Sequence, residues 1–95
     1  MTNKPPIDFA KVEALRKHML LTVNNMAELF GVSRMTYYSW LNGVQPRKAN
    51  AGTVRNTLMK LLAVMTDYEW PQPEVIAMEQ EQRYSKLLEI LAELN

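Results

Sequence analysis

The stretch from Thr22 to Gly43 constrains the fold more than any other part of this 95-residue chain. Apolar residues recur at helical spacing on both sides of Gly31, a residue that adopts a positive φ without steric cost. Thr22 and Ser33 are favourable helix N-cap residues, and each stands at the start of one apolar repeat. The sequence therefore predicts two short helices joined by a tight turn, the second ending near Gly43.

The packing of these two helices also follows from their residues. Ala27 is small and stands where the helices must approach each other closely. Met26, Val32, Tyr37 and Trp40 have the offsets that would lock the pair together. If Tyr37 and Trp40 face inward, the opposite face of the second helix is left to solvent or to a ligand.

Helical spacing extends over nearly the whole chain, and no stretch shows the alternation typical of a β-strand. Asp8 can cap a first helix, and a fourth helix is expected from about Ala51 to Met65. Its core-spaced residues are Val54, Leu58, Leu61, Leu62 and Met65. A last helix begins near Pro73 or Glu74, because proline suits a first helical position. These patterns predict an all-α domain of five helices.

We expect a core at residues 1–66, a linker at 67–73 and the last helix at 74–95. Trp70 is expected to pin the linker onto the body, the alternative being an exposed contact for a partner. The last helix has apolar residues at a and d positions of about three heptads. Its residues assigned to pairing are Tyr84, Leu87, Leu88, Leu91 and Leu94. They indicate either packing on the protein's own core or a homodimer seam, and we favour the dimer because the linker detaches this helix.

The net charge of +1 hides a strong asymmetry along the chain. Residues 1–60 contain nine basic and three acidic side chains, whereas residues 61–95 contain two basic and seven acidic ones. A basic first part suits a polyanionic partner, and an acidic last part does not. A nucleic acid is therefore a natural partner for the first part of the chain.

Several function classes find no support in the sequence. There is no cysteine, and His18 is the single histidine, so we expect no metal site. No Gly-rich phosphate loop or nucleophile–base arrangement is present, which argues against an enzyme and against a bound cofactor. No apolar run reaches the roughly 20 residues of a membrane span, and the first residues lack an apolar signal segment. We therefore expect a cytoplasmic protein with no membrane contact.

The Thr22–Gly43 stretch resembles the helix-turn-helix of the Cro/repressor-like (XRE-type) family. The residues that carry the resemblance are Leu21, Thr22, Met26, Ala27, Gly31, Val32, Ser33, Thr36, Trp40, Asn42 and Gly43. The resemblance extends over roughly Phe9 to Val64. It implies a lambda-repressor-like fold and sequence-specific binding of double-stranded DNA, with the second helix of the pair as the recognition helix.

Two positions depart from the family pattern. Val23 stands where the family often has a Gln that touches phosphate, so that contact should be absent. Leu41 stands where the family often has a Glu that pairs with an Arg of the first helix. Arg16 is therefore expected to lack that partner and to be free for phosphate.

The exposed face of the recognition helix defines the candidate DNA contacts. Arg34 can donate two hydrogen bonds to a guanine edge, and Asn42 could pair with adenine or touch the backbone. The full set of candidate base contacts is Ser33, Arg34, Met35, Tyr38, Ser39 and Asn42. Phosphate contacts should flank this helix, since they fix its register on the duplex. The candidates are Thr22, Asn24, Arg47, Lys48, Asn50 and Arg55.

Together these expectations predict a transcriptional regulator of a kind typical of phages or mobile elements. It would act as a repressor and bind a pseudo-palindromic operator as a homodimer, with recognition helices roughly 34 Å apart. Two alternatives remain open. One is a phage DNA-packaging recognition subunit. The other is a helix-turn-helix scaffold whose acidic last helix binds a protein, as an antitoxin binds its toxin.

Overall fold

A computed structural model describes residues 5–94, and the predicted limits at residues 1 and 95 lie outside that range. The residues that the structure describes form helices and no strands, which confirms the predicted all-α class. It contains six helices in the order α1 (Phe9–His18), α2 (Val23–Phe30), α3 (Arg34–Leu41), α4 (Lys48–Asp67), α5 (Pro73–Ile76) and α6 (Gln80–Glu93).

The first three helices begin at the residues whose side chains can cap them. The Asp8 carboxylate accepts hydrogen bonds from two backbone N–H groups of α1. Thr22 and Asn25 form a reciprocal capping box at the start of α2, with both hydrogen bonds at 3.0 Å. The Ser33 hydroxyl accepts from the backbone N–H of Thr36. Gly31 ends α2 in the left-handed region, at φ 73°. All these local predictions are confirmed.

The core of the first part is aromatic. Trp40 of α3 lies 5.3 Å from Phe9 and 5.9 Å from Phe30, measured between ring centroids. Tyr37 stacks on Phe30 at 6.1 Å, and Met26 is fully buried beside them. Tyr37 and Trp40 therefore face inward as predicted, and α3 is held against both α1 and α2.

Helix α4 differs from its prediction at its start and along its face. It begins at Lys48, three residues earlier than expected, which places Lys48 and Asn50 in its first turn and not in a loop. Leu62 was predicted to lie in the core, yet it is exposed. The buried face passes through Leu61 and Val64, and the helix turns by about 100° per residue, so Leu62 points away.

The predicted last helix is broken into α5 and α6. The chain leaves helical geometry around Met78 and Glu79, which gives six helices where five were expected. The Arg83 guanidinium donates hydrogen bonds to the carbonyls of Val75, Ile76 and Met78. A helix end leaves carbonyls without helical partners, so this arginine supplies donors to Ile76 and Met78 and a further donor to Val75, whose carbonyl also accepts from the backbone N–H of Met78.

The segment between α4 and α5 packs into the core of the protein. Trp70 is 1% exposed, and its indole N–H donates a 2.9 Å hydrogen bond to the carbonyl of Met19. This confirms that Trp70 pins the segment to the body, and its alternative role as an exposed contact is wrong. Val75 lies in the same buried cluster. The prolines therefore do not detach the helices that follow.

The α6 residues assigned to a dimer seam divide into three groups. Leu87 is fully buried within the single chain, which leaves it no side-chain surface for the pairing predicted for it. Tyr84, Leu91 and Leu94 are partly buried against the same core. Leu88 is 43% exposed. Packing on the protein's own core, the alternative interpretation, therefore accounts for the centre of the stripe.

Two glycines in different conformations should respond in opposite ways to alanine. Gly31→Ala places a Cβ at φ 73° and should lower the free energy of unfolding by about 1 kcal/mol. Gly52→Ala lies inside α4 with open space around it, so it should raise that free energy by about 0.5–1 kcal/mol. Urea denaturation measures both. Two changes of the same sign would contradict the backbone assignment.

Candidate nucleic-acid interface

Helix α3 presents a solvent-facing side opposite its buried aromatic residues. Arg34 and Asn42 are exposed at its two ends. Between them, Met35 is 82% exposed and Tyr38 is 48% exposed. Two large side chains thus stand exposed about one turn apart on this face. It contains the residues predicted to contact bases.

The candidate base contacts differ in how free their polar groups are. The Ser33 hydroxyl caps α3, and the Ser39 hydroxyl donates to the carbonyl of Thr36 at 2.7 Å. The Asn42 amide donates to the carbonyl of Tyr38 at 3.0 Å. Within residues 5–94, the side chain of Arg34 makes no hydrogen bond or ion pair. Among the polar residues of this face, the charged side chain of Arg34 is therefore left without an internal partner.

A depression of about 400 Å³ separates α3 from the beginning of α4. The α3 side contributes the hydroxyl residues Ser33, Thr36 and Ser39. The other side contributes Arg47 and Asn50, two of the predicted phosphate contacts. The structure thus brings these hydroxyl, amide and guanidinium groups together although they are distant in the sequence.

The start of α4 has a positive character. Its first turn contains no acidic residue, and no side chain caps its free backbone N–H groups. Helix N-terminal N–H groups attract anions, and the exposed Arg47 and Lys48 add full charges beside them. Arg55 lies further along α4, where its guanidinium donates a 2.9 Å hydrogen bond to the carbonyl of Pro5. Arg55 is therefore hydrogen-bonded to the N-terminal segment, and its side chain is partly exposed.

The beginning of α2 has the opposite character. Thr22 and Asn24 border a cleft of about 450 Å³, whose other walls include Glu28, Glu81 and Tyr84. Burial and the nearby Glu28 carboxylate raise the pKa of the Tyr84 hydroxyl. Two carboxylates disfavour a phosphate at this helix end. The surroundings of Thr22 and Asn24 thus oppose the phosphate contacts predicted for them.

A network that joins Glu13, Arg16 and Tyr37 connects α3 to α1. Arg16 contacts the Glu13 carboxylate through two nitrogens, at 2.7 and 3.0 Å. The Tyr37 hydroxyl donates to the same carboxylate at 2.7 Å. The expectation that Arg16 is free for phosphate is therefore wrong, because Glu13 pairs with it within α1. The i, i+3 spacing of Glu13 and Arg16 was the sequence signal for this pair.

Charge states in the Glu13–Arg16–Tyr37 network support one another. The hydrogen bond from Arg16 holds the pKa of Glu13 below its usual value, against the opposing effect of burial, and Tyr37 and Lys17 add to the lowering. Burial raises the pKa of the Tyr37 hydroxyl, and its bond to Glu13 raises it further. At neutral pH Glu13 is thus an ionised acceptor and Tyr37 a protonated donor.

Comparison with protein-family models, with curated protein sequences and with solved structures gives no match for this chain. None of the helices in residues 5–94 has both the length and the apolar character that a membrane crossing needs. In the same range, no group of three or more His, Cys, Asp or Glu side chains could hold a metal ion.

The lowered pKa of Glu13 predicts a pH-dependent contribution to stability. Because the folded-state pKa lies below the ordinary value of 4.5, ionised Glu13 stabilises the fold above that value. The contribution is lost as the pH falls through the folded-state pKa. Glu13→Gln should therefore be less stable than the wild type at neutral pH, and the difference should shrink in acid. Urea denaturation across this range measures it.

Glu89→Gln is the matched control, since it removes the same charge from an exposed site on α6, away from the network. A gap between wild type and Glu13→Gln that stayed constant from neutral to acidic pH would contradict the ionised state of Glu13.

Proposed function

We propose that this chain is a sequence-specific regulator of transcription that binds double-stranded DNA. In this proposal α2 and α3 form a helix-turn-helix of the lambda-repressor-like type, and α3 is the recognition helix. One observation carries the proposal: the exposed face of α3 has an unpaired Arg34 and lies beside the basic beginning of α4. The resemblance of Thr22–Gly43 to Cro/repressor-like proteins adds to it.

The direction of α3 suits base reading. In a docked helix-turn-helix the N-terminal residues of the recognition helix contact base edges in the major groove. Arg34 is the first residue of α3, and arginine recognises guanine through two hydrogen bonds to its O6 and N7. Met35 and Tyr38 are exposed beside it and can contact thymine methyl groups. Arg34 would thus supply polar discrimination and its two neighbours apolar discrimination.

Backbone contacts come from the start of α4 in this proposal. Arg47, Lys48 and Asn50 would bind phosphates next to the groove that α3 enters. Such contacts fix the register of the helix on the duplex without reading its sequence. Thr22 and Asn24 are left out, since Glu28 and Glu81 lie beside them.

We further propose that the regulator binds as a homodimer and represses by occluding a promoter. Two copies related by a two-fold axis would place their α3 helices one turn of DNA apart, roughly 34 Å, on a pseudo-palindromic site. Leu88 is the large apolar residue of α6 that is exposed, and Leu91 and Leu94 are half-buried near it. These three residues would provide the pairing surface.

Arginine substitutions separate base reading from phosphate binding. Arg34→Ala should weaken binding to the preferred duplex by about 1–3 kcal/mol and relax the preference for one base pair. Arg47→Ala should weaken preferred and scrambled duplexes alike, and lower the salt dependence by about one phosphate contact. Electrophoretic mobility shifts at several salt concentrations, with a duplex selected from a random library, measure both effects.

Lys86→Ala is the control for charge alone, because Lys86 is exposed on α6 outside the α3–α4 depression. Full binding by Arg34→Ala would disprove the docking of α3. If no duplex shifts even at low salt, where phosphate contacts are strongest, DNA binding itself is wrong. A protein partner for acidic α6 would then be the better hypothesis.

The dimer has its own test. Sedimentation equilibrium should give a mass of about twice 11.0 kDa for the wild type. Leu88→Glu places a charge in the proposed pairing surface and should give a monomer with unchanged helix content, because Leu88 is not part of the core. A monomeric wild type at micromolar concentration, both free and on DNA, would contradict the homodimer.

A further inference from the structure

The hydroxyl of Tyr37 makes an unusual contact for a residue of the core. The ring is fully buried between α1, α2 and α3, yet its hydroxyl reaches the half-buried Glu13 of α1 at 2.7 Å. The other side-chain hydrogen bonds of α3 are local to that helix or its caps. In the part of the chain described, the Tyr37–Glu13 bond is the side-chain hydrogen bond that joins α3 to another helix.

The acceptor of this bond is itself held in place. Arg16 contacts both carboxylate oxygens of Glu13, and its remaining terminal nitrogen donates a 2.9 Å hydrogen bond to the carbonyl of Leu21. Leu21 immediately precedes Thr22, the cap of α2. The network therefore connects three elements: α1, the beginning of α2, and α3. The hydroxyl of Tyr37 attaches α3 to it through one carboxylate oxygen of Glu13.

Apolar packing and this hydrogen bond constrain α3 in different ways. Contacts of the Tyr37 ring with Phe30 and Trp40 favour burial but have little directional preference. A hydrogen bond to an ionised carboxylate is short, directional and roughly twice as strong as a neutral one. The bond thus restricts rotation of α3 about its axis more sharply than the ring contacts do.

Rotation of α3 matters because Arg34 stands one turn before Tyr37 on the same short helix. A binding group must be held within about 0.5 Å and 10–20° of its productive geometry. The guanidinium of Arg34 lies far from the helix axis, so a small rotation displaces it by more than this tolerance. Phosphate contacts from α4 do not depend on that rotation.

We propose that Tyr37 and Glu13 are positioning residues for base reading. Their hydrogen bond sets the orientation of α3, and through it the discrimination between the preferred duplex and other DNA, while non-specific binding is unaffected. This inference rests on the proposed DNA-binding function. The bond touches no DNA itself, so its role differs from that of Arg34 or Arg47.

Tyr37→Phe removes the hydroxyl and keeps the buried ring. Its affinity for the duplex selected by the wild type should fall about tenfold, while its affinity for a scrambled duplex of the same composition should change less than twofold. Tyr68→Phe is the matched control, a tyrosine at the end of α4 outside the network, and should leave both affinities unchanged. Measurements are made at a temperature where circular dichroism shows all proteins folded.

Glu13→Gln is the second variant, because its amide oxygen can still accept from Tyr37 as a neutral acceptor. Its preference for the selected duplex over the scrambled one should fall about threefold, which is less than the fall in Tyr37→Phe. An equal loss for both duplexes, or no loss for either, in Tyr37→Phe would overturn the positioning role and leave DNA binding intact. A loss confined to the selected duplex, graded across the two variants, supports it.

Amide hydrogen exchange of the free protein gives a result that does not depend on DNA. In Tyr37→Phe the amides of α3 should exchange about tenfold faster, while those of α4 keep their wild-type rates. If the wild type prefers no duplex, the proposed function fails, and exchange alone then decides the positioning of α3. Unchanged exchange in α3 would overturn it in that case too.

Discussion

Burial of Tyr37 and Trp40 is the constraint on which the rest of this structure depends. The two residues are three positions apart on α3 and therefore lie on the same helical face. They pack against Phe9 of α1 and Phe30 of α2. A helix with one face fixed inward has its other face fixed outward. The exposure of Arg34, Met35 and Tyr38 is thus a consequence of core packing. The fold needs no additional structural element to present the candidate interface.

The second half of the chain contributes buried residues to this core and is not a separate appendage. Trp70 fills a site beside Met19 at the end of α1, and Leu87 of α6 lies in the same buried cluster. A domain of this size buries a limited apolar area, so each added large side chain contributes much to its stability. Glu81 of α6 then lies with Glu28 near the start of α2, while the exposed Arg47 and Lys48 stand at the start of α4. Packing thereby converts a charge gradient along the sequence into two separate surfaces, which is the electrostatic basis of the proposed DNA contact.

Specificity and affinity have different structural sources in this proposal. Charges around Arg47 provide attraction that any duplex satisfies, whereas base reading requires α3 to hold Arg34 at a fixed rotation. The Glu13–Arg16–Tyr37 network, which is half-buried between α1 and α3, fixes that rotation. The resemblance implies an Arg–Glu pair between α1 and α3, and Leu41 leaves that pair unmade. A tyrosine hydroxyl and an intrahelical ion pair connect the same two helices instead.

The sequence by itself determined the local structure: the caps at Asp8, Thr22 and Ser33, the turn at Gly31, and the inward face of α3. These features depend on interactions between residues a few positions apart, which a single sequence displays directly. Only the tertiary structure decided the attachment of Tyr37 to Glu13, the burial of Leu87 and the acidic cleft at α2. Each of these depends on groups brought together from distant positions, and neither periodicity nor charge count specifies which of several apolar faces meets which core. The sequence therefore predicted which side of α3 faces out, while three-dimensional packing determined which charges surround it.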